Sequence, residues 1–277
     1  MDDLTFARCA QLAPPAARRL RTGQLELEVV ERVLSVRAGH GLRVAAFTGP
    51  VGGTLSRSDL ALLAEAKPGL LLFLGGLGDD VAAASANLAG VSALRVPTVF
   101  IAGGSDRVPV MEEAFAGLAA DAAELVLQGS GLRELRLGEE RFAVVSGSPL
   151  GRYAIDDQAC GFSVDDLNDV REAISEKGVR ARRVSLLSWG APSGWGLSHA
   201  SGVDVGSPEL FALAQAISAQ GGVFAYPEMR AGEALRDTRR KGVSAVVPRL
   251  GRLGSARAEG GRLPSSLMLL VLTSEGL

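Results

Sequence analysis

Residues 42–53 read LRVAAFTGPVGG, a short run of apolar and β-branched residues that ends in glycines. Such a run predicts a buried strand, and the glycines predict a tight loop directly after it. A helix is expected at residues 58–67, because Pro68-Gly69 stops it there. The order of strand, glycine loop and helix recurs from residue 70, with the loop GGLGDD, and from residue 97, with the loop AGGSDR. This repetition is typical of a layered α/β fold.

After residue 120 the pattern changes to short apolar runs joined by glycine-containing turns, which predict a β-meander. Helices are expected to begin at Ser163, from a capping box, and at Ser207, which Pro208 follows. We expect residues 1–40 to form a helical lead-in with an extra strand at residues 25–36, and residues 41–277 to form the main domain. The other predicted strands are residues 124–127, 132–137, 141–146, 184–188, 223–225, 244–247 and 267–272.

The composition limits the classes of function. The chain has 277 residues, 47% of them hydrophobic, so it is long enough for a large core, and its net charge of −2 predicts no nucleic-acid partner. No apolar stretch reaches the roughly 18 residues of a membrane span, so the sequence as given predicts a cytoplasmic protein, or one of the cell envelope if a leader was removed. Cys9 and Cys160 are too few for a disulfide scaffold, and whether they form a single bridge is open at this stage.

Five loops form the candidate site, because α/β proteins place ligands after the carboxyl ends of strands. The first lacks the lysine of a phosphate-binding GxxxxGK[ST] loop, and the second is not GxGxxG. In the third, Ser105 lacks the final glycine of a GxSxG nucleophile turn. The loops read Gly49-Pro50-Val51-Gly52, Gly75-Gly76-Leu77-Gly78-Asp79, Gly103-Gly104-Ser105-Asp106, Ser188-Trp189 and Tyr226-Pro227-Glu228-Met229.

In order and shape these loops resemble the five signature loops of the calcineurin-like metallophosphoesterases, over roughly residues 42–277. That family reads D-x-H-G, G-D-x-x-D, G-N-H-D or G-N-H-E, a histidine at a strand end, and G-H-x-H. The resemblance implies an α/β fold, namely a four-layer α/β/β/α sandwich of two mixed β-sheets flanked by helices. It also implies that this chain departs from the family where the metals bind, at Gly49, Val51, Gly76, Gly104, Trp189, Pro227 and Met229, and at Ser105 in place of the catalytic histidine.

A count of histidines supports this departure independently of any alignment. A two-metal phosphoesterase needs several imidazoles, whereas this chain has only His40 and His199, both outside the five loops. We therefore expect no metal cofactor and no catalytic residue. The resemblance then favours a catalytically inactive protein that acts as a binding or scaffold subunit for a protein partner whose identity the sequence does not give.

Several residues remain as candidates for a vestigial pocket or for partner binding. The polar ones are Asp79, Asp106 and Arg107. Trp189, Trp195 and Tyr226 are expected beside the place of the metals, either as a plug or as an apolar anchor for a partner. Two other functions stay open. One is a hydrolase with one metal or none, built on Asp79, Asp106, Ser105 and either Asp156 or Asp157. The other is a metal-free anion or nucleotide sensor that holds phosphate on backbone N–H groups of residues 49–53 or 103–106.

Overall fold

A computed structural model describes residues 7–39, 41–50, 53–149, 157–175, 183–226, 234–237, 242–247, 250, 257–258, 261–262 and 268–272. The helices are a 3-10 turn (Cys9–Gln11), α1 (Arg57–Glu65), α2 (Val81–Ala93), α3 (Val108–Ala116), α4 (Ala120–Leu125), α5 (Val164–Ser175) and α6 (Pro208–Ala216). The strands are β1 (Arg18–Thr22), β2 (Leu25–Val30), β3 (Val33–Ala38), β4 (Leu42–Phe47), β5 (Leu70–Leu74), β6 (Thr98–Ile101), β7 (Val126–Gln128), β8 (Glu134–Leu137), β9 (Glu140–Val145), β10 (Ser148–Pro149), β11 (Gly161–Phe162), β12 (Arg183–Gly190), β13 (His199–Ala200), β14 (Val203–Asp204), β15 (Gly221–Tyr226), β16 (Ala234–Asp237), β17 (Gly242–Val246), β18 (Arg257–Ala258), β19 (Gly261–Arg262) and β20 (Met268–Leu272).

Two mixed sheets form the centre of the molecule. The five-stranded sheet has the order β20-β4-β5-β6-β7, in which β4 to β7 are parallel and β20 is antiparallel to β4. The nine-stranded sheet has the order β1-β2-β3-β8-β9-β12-β15-β17-β16. In this sheet β9, β12, β15 and β17 are parallel neighbours, and the strands at both edges are antiparallel. The predicted pair of mixed sheets is confirmed.

Three apolar clusters separate four layers. The central cluster joins the facing sides of the two sheets, for example Leu72 from β5 and Leu187 from β12. A second cluster packs α1, α2 and α3 on the outer face of the five-stranded sheet, around Phe73. A third packs α5 and α6 on the outer face of the nine-stranded sheet, around Phe224. The order helices, sheet, sheet, helices is the predicted α/β/β/α sandwich.

The N-terminal segment differs from the prediction of a helical lead-in and one strand. Within residues 7–39 the only helix is the three-residue 3-10 turn, and β1, β2 and β3 form an antiparallel meander at one edge of the nine-stranded sheet. Pro14-Pro15 prevents a longer helix, because proline lacks the N–H that a helix needs. The predicted single strand is two strands, because Glu31, at φ 53, turns the chain between them.

The predicted β-meander after residue 120 is only partly correct. β8 and β9 form an antiparallel hairpin as expected. Residues up to Leu125 belong to helix α4, and β7, which follows directly, pairs with β6 in the other sheet. The alanine-rich start of this segment favours a helix, and that preference outweighed the short apolar run.

The longest helix in the described part of the chain is α2, with 13 residues. None of the described helices combines the length and the apolar character that a membrane crossing requires.

Candidate functional site

The first three glycine loops meet at one edge of the five-stranded sheet, because they follow the parallel neighbours β4, β5 and β6. The Gly49 N–H donates to the Gly75 carbonyl at 2.9 Å. Thr48 Oγ1 donates to the same carbonyl at 2.9 Å, and the Gly75 N–H donates to Ile101 O at 2.8 Å. These bonds hold the three loops, which we call the glycine loops, in direct contact.

The contact is close enough that side chains would not fit. Gly76 has φ +75, and a Cβ there would lie 2.7 Å from the Gly49 carbonyl oxygen. A Cβ on Gly49 would in turn overlap the Gly76 carbonyl oxygen. The resemblance predicts that both residues stand in place of metal-binding aspartates. The backbone of each loop therefore fills the space that the other loop's ligand would occupy.

Trp189 covers the glycine loops from the opposite sheet. It follows Ser188 near the end of β12, and its indole lies against Gly75, Gly103 and Gly104. A Cβ on Gly103 would lie 2.6 Å from the indole Nε1, and a Cβ on Gly104 would lie 3.0 Å from Cζ3. Tyr226, at the end of β15, stacks on Trp189 with ring centroids 4.8 Å apart and an angle of 15° between the planes. Both aromatic residues are half-buried.

At the predicted metal-ligand positions that the structure describes, the residues present cannot bind a pair of metal ions. Gly49, Gly76 and Gly104 have no side-chain atom that could bind a metal. The indole of Trp189 donates a hydrogen bond but has no lone pair for a metal. Over the described ranges no group of three or more His, Cys, Asp or Glu side chains could hold a metal ion. Val51, Pro227 and Met229, which complete the predicted set of positions, lie outside the described residues, as does His40.

Asp106 ties the second and third loops together from inside. Its side chain is 2% exposed, and it accepts backbone hydrogen bonds from Gly103 at 2.6 Å, Leu77 at 2.8 Å and Gly76 at 3.2 Å. Burial raises the pKa of Asp106 from an ordinary 3.8 to about 6, although the three N–H groups oppose the rise. The carboxylate thus occupies the place that a bound anion would take.

This arrangement bears on the interpretation of the loops as a phosphate sensor. Among the N–H groups that such a sensor would use, those of Gly49, Gly103 and Asp106 already donate within the protein, and so do those of Gly76 and Leu77 in the second loop. An anion would have to displace the Asp106 carboxylate or approach it closely. Both alternatives cost free energy in a buried environment.

The buried state of Asp106 predicts a pH dependence of stability. Because the pKa is higher in the folded than in the unfolded protein, the folded protein retains a proton between pH 4 and 6 that the unfolded chain has released. The free energy of unfolding should therefore fall as the pH rises through this window, by about 3 kcal/mol for a shift of about two pKa units. Urea unfolding of the wild type and of Asp106→Asn at several pH values measures the effect. The difference in free energy between the two proteins should shrink from pH 4 to 6 and stay level above pH 7; parallel curves would contradict the shift.

The remaining polar candidates do not share the buried position of Asp106. Asp79 is exposed, and the N-cap of α2 is its neighbour Asp80, which accepts from Ala83 N at 2.8 Å. Ser105 is half-buried, and Arg107 is exposed at the N-terminus of α3. Asp157 is exposed, and Asp156 lies outside the described residues. The predicted hydrolase set is not gathered into a metal site by the described residues.

Trp195 is not beside the glycine loops, contrary to the prediction. It is 3% exposed and packs edge-on against Phe224, with centroids 5.9 Å apart and an interplanar angle of 79°. It belongs to the apolar cluster under α5 and α6, on the other face of the nine-stranded sheet from Trp189. Sequence spacing alone did not show which face of the sheet a residue after the strand would reach.

Two features of the site were not recognised from the sequence. Cys9 and Cys160 form a disulfide, and the backbone N–H of Cys160 donates to Asp106 O at 2.8 Å. The bridge therefore holds in place the segment that hydrogen-bonds to the third loop through Cys160. Ser148 is 1% exposed and lies against Gly104, and its Oγ has no hydrogen-bond partner in the described structure. The only available signal for the bridge was that the chain has two cysteines.

Comparison with known proteins identifies the fold but no close relative. No protein-family model matches the chain, and no curated protein matches its sequence. One solved structure superposes with a TM-score of 0.54 at 10% identity, covering 76% of this chain and 91% of its own. The protein TT1561 of Thermus thermophilus superposes with a TM-score of 0.50 at 14% identity, covering 76% and 90%. A dimetal phosphatase from Danio rerio gives 0.48 at 11% identity (76% and 88%), and GAP50, the anchor in the inner membrane complex of Plasmodium, gives 0.47 at 10% identity (85% and 85%).

The likenesses at TM-scores of 0.50 and 0.54 show that this sandwich of two mixed sheets between helix layers also occurs in solved structures. The chain has the four-layer α/β/β/α fold that its resemblance to the calcineurin-like metallophosphoesterases predicts. The prediction of this fold from the five loops is confirmed.

Proposed function

We propose that this chain is a metallophosphoesterase-fold protein that does not hydrolyse phosphate esters and acts as a binding or scaffold subunit. The observation that carries the proposal is the position of Trp189, whose indole lies on the glycine loops, at positions that the resemblance assigns to metal ligands. Two-metal hydrolysis requires two ions about 4 Å apart and a set of N and O ligands to hold them. A tryptophan and three glycines supply neither the ligands nor the space.

The same aromatic residues support a role in binding. Trp189 and Tyr226 are stacked and only half-buried, so part of each ring faces outward at the end of the sandwich. Tryptophan and tyrosine contribute more binding free energy at protein interfaces than most residues. The overall charge of −2 makes a protein a better partner than a nucleic acid.

The disulfide changes the proposed compartment. We expected a cytoplasmic protein, or one of the cell envelope, from the sequence. A bridge between Cys9 and Cys160, both 0% exposed, is stable in an oxidising environment and is uncommon in the reducing cytosol. We therefore place the protein in an oxidising compartment, such as the cell envelope or the exterior of the cell.

Elemental analysis and an activity assay test the lack of phosphoesterase activity. We expect the purified protein to contain well below one equivalent of metal, and to show no turnover of an aryl phosphate above the blank with excess Mn²⁺. Trp189→Ala is the informative variant, because it opens the space without restoring ligands. It should lower the free energy of unfolding by about 2–3 kcal/mol, as expected for a half-buried tryptophan, and should remain inactive. Metal at one equivalent or more together with turnover would overturn the proposal.

The binding role has its own test. Affinity capture from the source cells with the wild type as bait should retain a partner protein in an amount comparable to that of the bait. The Tyr226→Ser variant should not retain this partner. Phe115→Leu, in the cluster under α3, serves as the control for a general loss of packing. A partner that the Tyr226 variant retains equally would show that the aromatic pair is not the anchor.

A further inference from the structure

A groove of about 330 Å³ opens where β4, β5 and β6 begin, at the opposite edge of the five-stranded sheet from the glycine loops. Its lining comes from the turn between β1 and β2, the entry to β4, and the turns that follow α1 and α2. The groove is separate from the site discussed above. Neither the fold nor the proposed function accounts for it.

The charges around the groove have one sign. Arg43, Lys67 and Arg95 line it, and none of the described residues that line it is acidic. Arg95 pairs with Asp121 at 3.2 Å, but both side chains are mainly exposed, at 67% and 64%, so solvent weakens the pair. Neither Arg43 nor Lys67 forms an ion pair with an acidic side chain of the described residues. Solvent also weakens the repulsion among the three exposed cations, and an anion between them would remove what remains of it.

Helix dipoles explain only part of this arrangement. Lys67 and Arg95 follow the C-terminal ends of α1 and α2, where the dipole favours a positive charge. Both adopt left-handed backbone conformations, with φ 47 and 55. Arg43 lies near the start of a strand, where no such field favours it. The helix dipoles therefore account for Lys67 and Arg95 but not for Arg43.

The groove is also held in shape by the backbone and has an apolar floor. Gly39 N donates to Gln24 O at 3.2 Å, Gly69 N to Arg43 O at 2.8 Å, and Leu71 N to Pro97 O at 2.9 Å. These bonds connect the lining segments to each other. Leu25 and Leu42, each 7% exposed, lie at the base of the groove.

We propose that this groove binds a small organic oxyanion, with a phosphate or phosphonate group against the three cations and an apolar ring on the leucine floor. Guanidinium and ammonium groups are the usual partners of phosphate oxygens. The volume is near the lower end of the range for ligand sites, about 300–1,000 Å³, and suits a compound with a single ring. This inference does not depend on the proposed function, because it concerns the other end of the sheet.

Phenylphosphonate is the probe for the test, because its carbon–phosphorus bond is not a phosphate ester and would survive even if the protein were an active phosphoesterase. Titration calorimetry should show saturable binding of one equivalent that weakens as the salt concentration rises. Arg43→Gln and Lys67→Asn should each weaken binding about tenfold, equivalent to about 1.4 kcal/mol. Asparagine is chosen at position 67 because it tolerates a positive φ.

Arg57→Gln is the matched control. Arg57 is also an exposed cation, but it is the first residue of α1, whereas Lys67 follows the other end of this helix. The Arg57→Gln variant should bind phenylphosphonate like the wild type, and thermal unfolding should show that all three variants are folded. The proposal is overturned if the wild type does not bind phenylphosphonate. It is also overturned if Arg43→Gln and Lys67→Asn bind as tightly as Arg57→Gln.

Discussion

Replacing Gly76 with alanine should lower the free energy of unfolding by about 3–4 kcal/mol, whereas the same replacement at Gly138 should cost about 1 kcal/mol. Both glycines have positive φ, +75 and +60, so both variants bear the conformational cost of placing a side chain there. Around Gly138 nothing lies within 4 Å of a new Cβ. At Gly76 the Cβ would lie 2.7 Å from the carbonyl oxygen of Gly49 and 3.1 Å from its Cα.

The difference between the two variants isolates the contact between the first and second loops. The atoms in the way belong to backbone, which cannot rotate aside as a flexible side chain would. Urea unfolding followed by circular dichroism measures both values under identical conditions. Equal losses at the two positions would mean that the loops do not touch, and that the space between them is open to a ligand.

Loss of the Cys9–Cys160 disulfide should lower the free energy of unfolding by about 4–5 kcal/mol. The bridge joins residues 151 positions apart, and closing a loop of this length restricts the unfolded chain strongly in the chain-entropy account. The bridge also fixes the N-terminal segment, where the Arg8 guanidinium bonds to Asp166 at 2.9 Å. The double variant Cys9→Ala, Cys160→Ala is the direct test, measured by urea unfolding without reductant.

Two comparisons control this experiment. Wild-type protein unfolded in the presence of reductant should have nearly the same stability as the double variant, because both lack the bridge. The single variant Cys9→Ala should show the same loss, and adding reductant should not change it further. If the double variant were as stable as the oxidised wild type, the bridge would not stabilise the fold, and the argument for an oxidising compartment would lose its basis.

The sequence predicted best those features that depend on residues close together in the chain. Each glycine loop follows its strand within a few residues, so the strand signal at residues 42–47 also located Gly49. Trp189 near the end of β12 was located in the same way. The resemblance of five such loops in order then predicted the whole sandwich, although no protein-family model and no curated protein matches the chain.

The features that the sequence did not predict depend on contacts between distant residues. The N-terminal meander is held in place by the pairing of β3 with β8, which lies much later in the chain. The role of Asp106 depends on N–H groups of the second loop that are close only after folding. Trp195 was placed on the wrong face, because its position is set by packing against Phe224, a residue of a later strand.

The first strand also determines how the largest sheet ends. β1 is an edge strand, and its backbone would otherwise offer hydrogen bonds to a second molecule. Arg19 and Arg21 lie on one face of this strand, 53% and 73% exposed, with Glu26 and Glu28 of β2 beside them. Another strand docking here would have to remove water from these charged side chains. At this edge the nine-stranded sheet therefore resists growing from one molecule into the next, and we expect the β1 edge not to nucleate fibrils at high protein concentration.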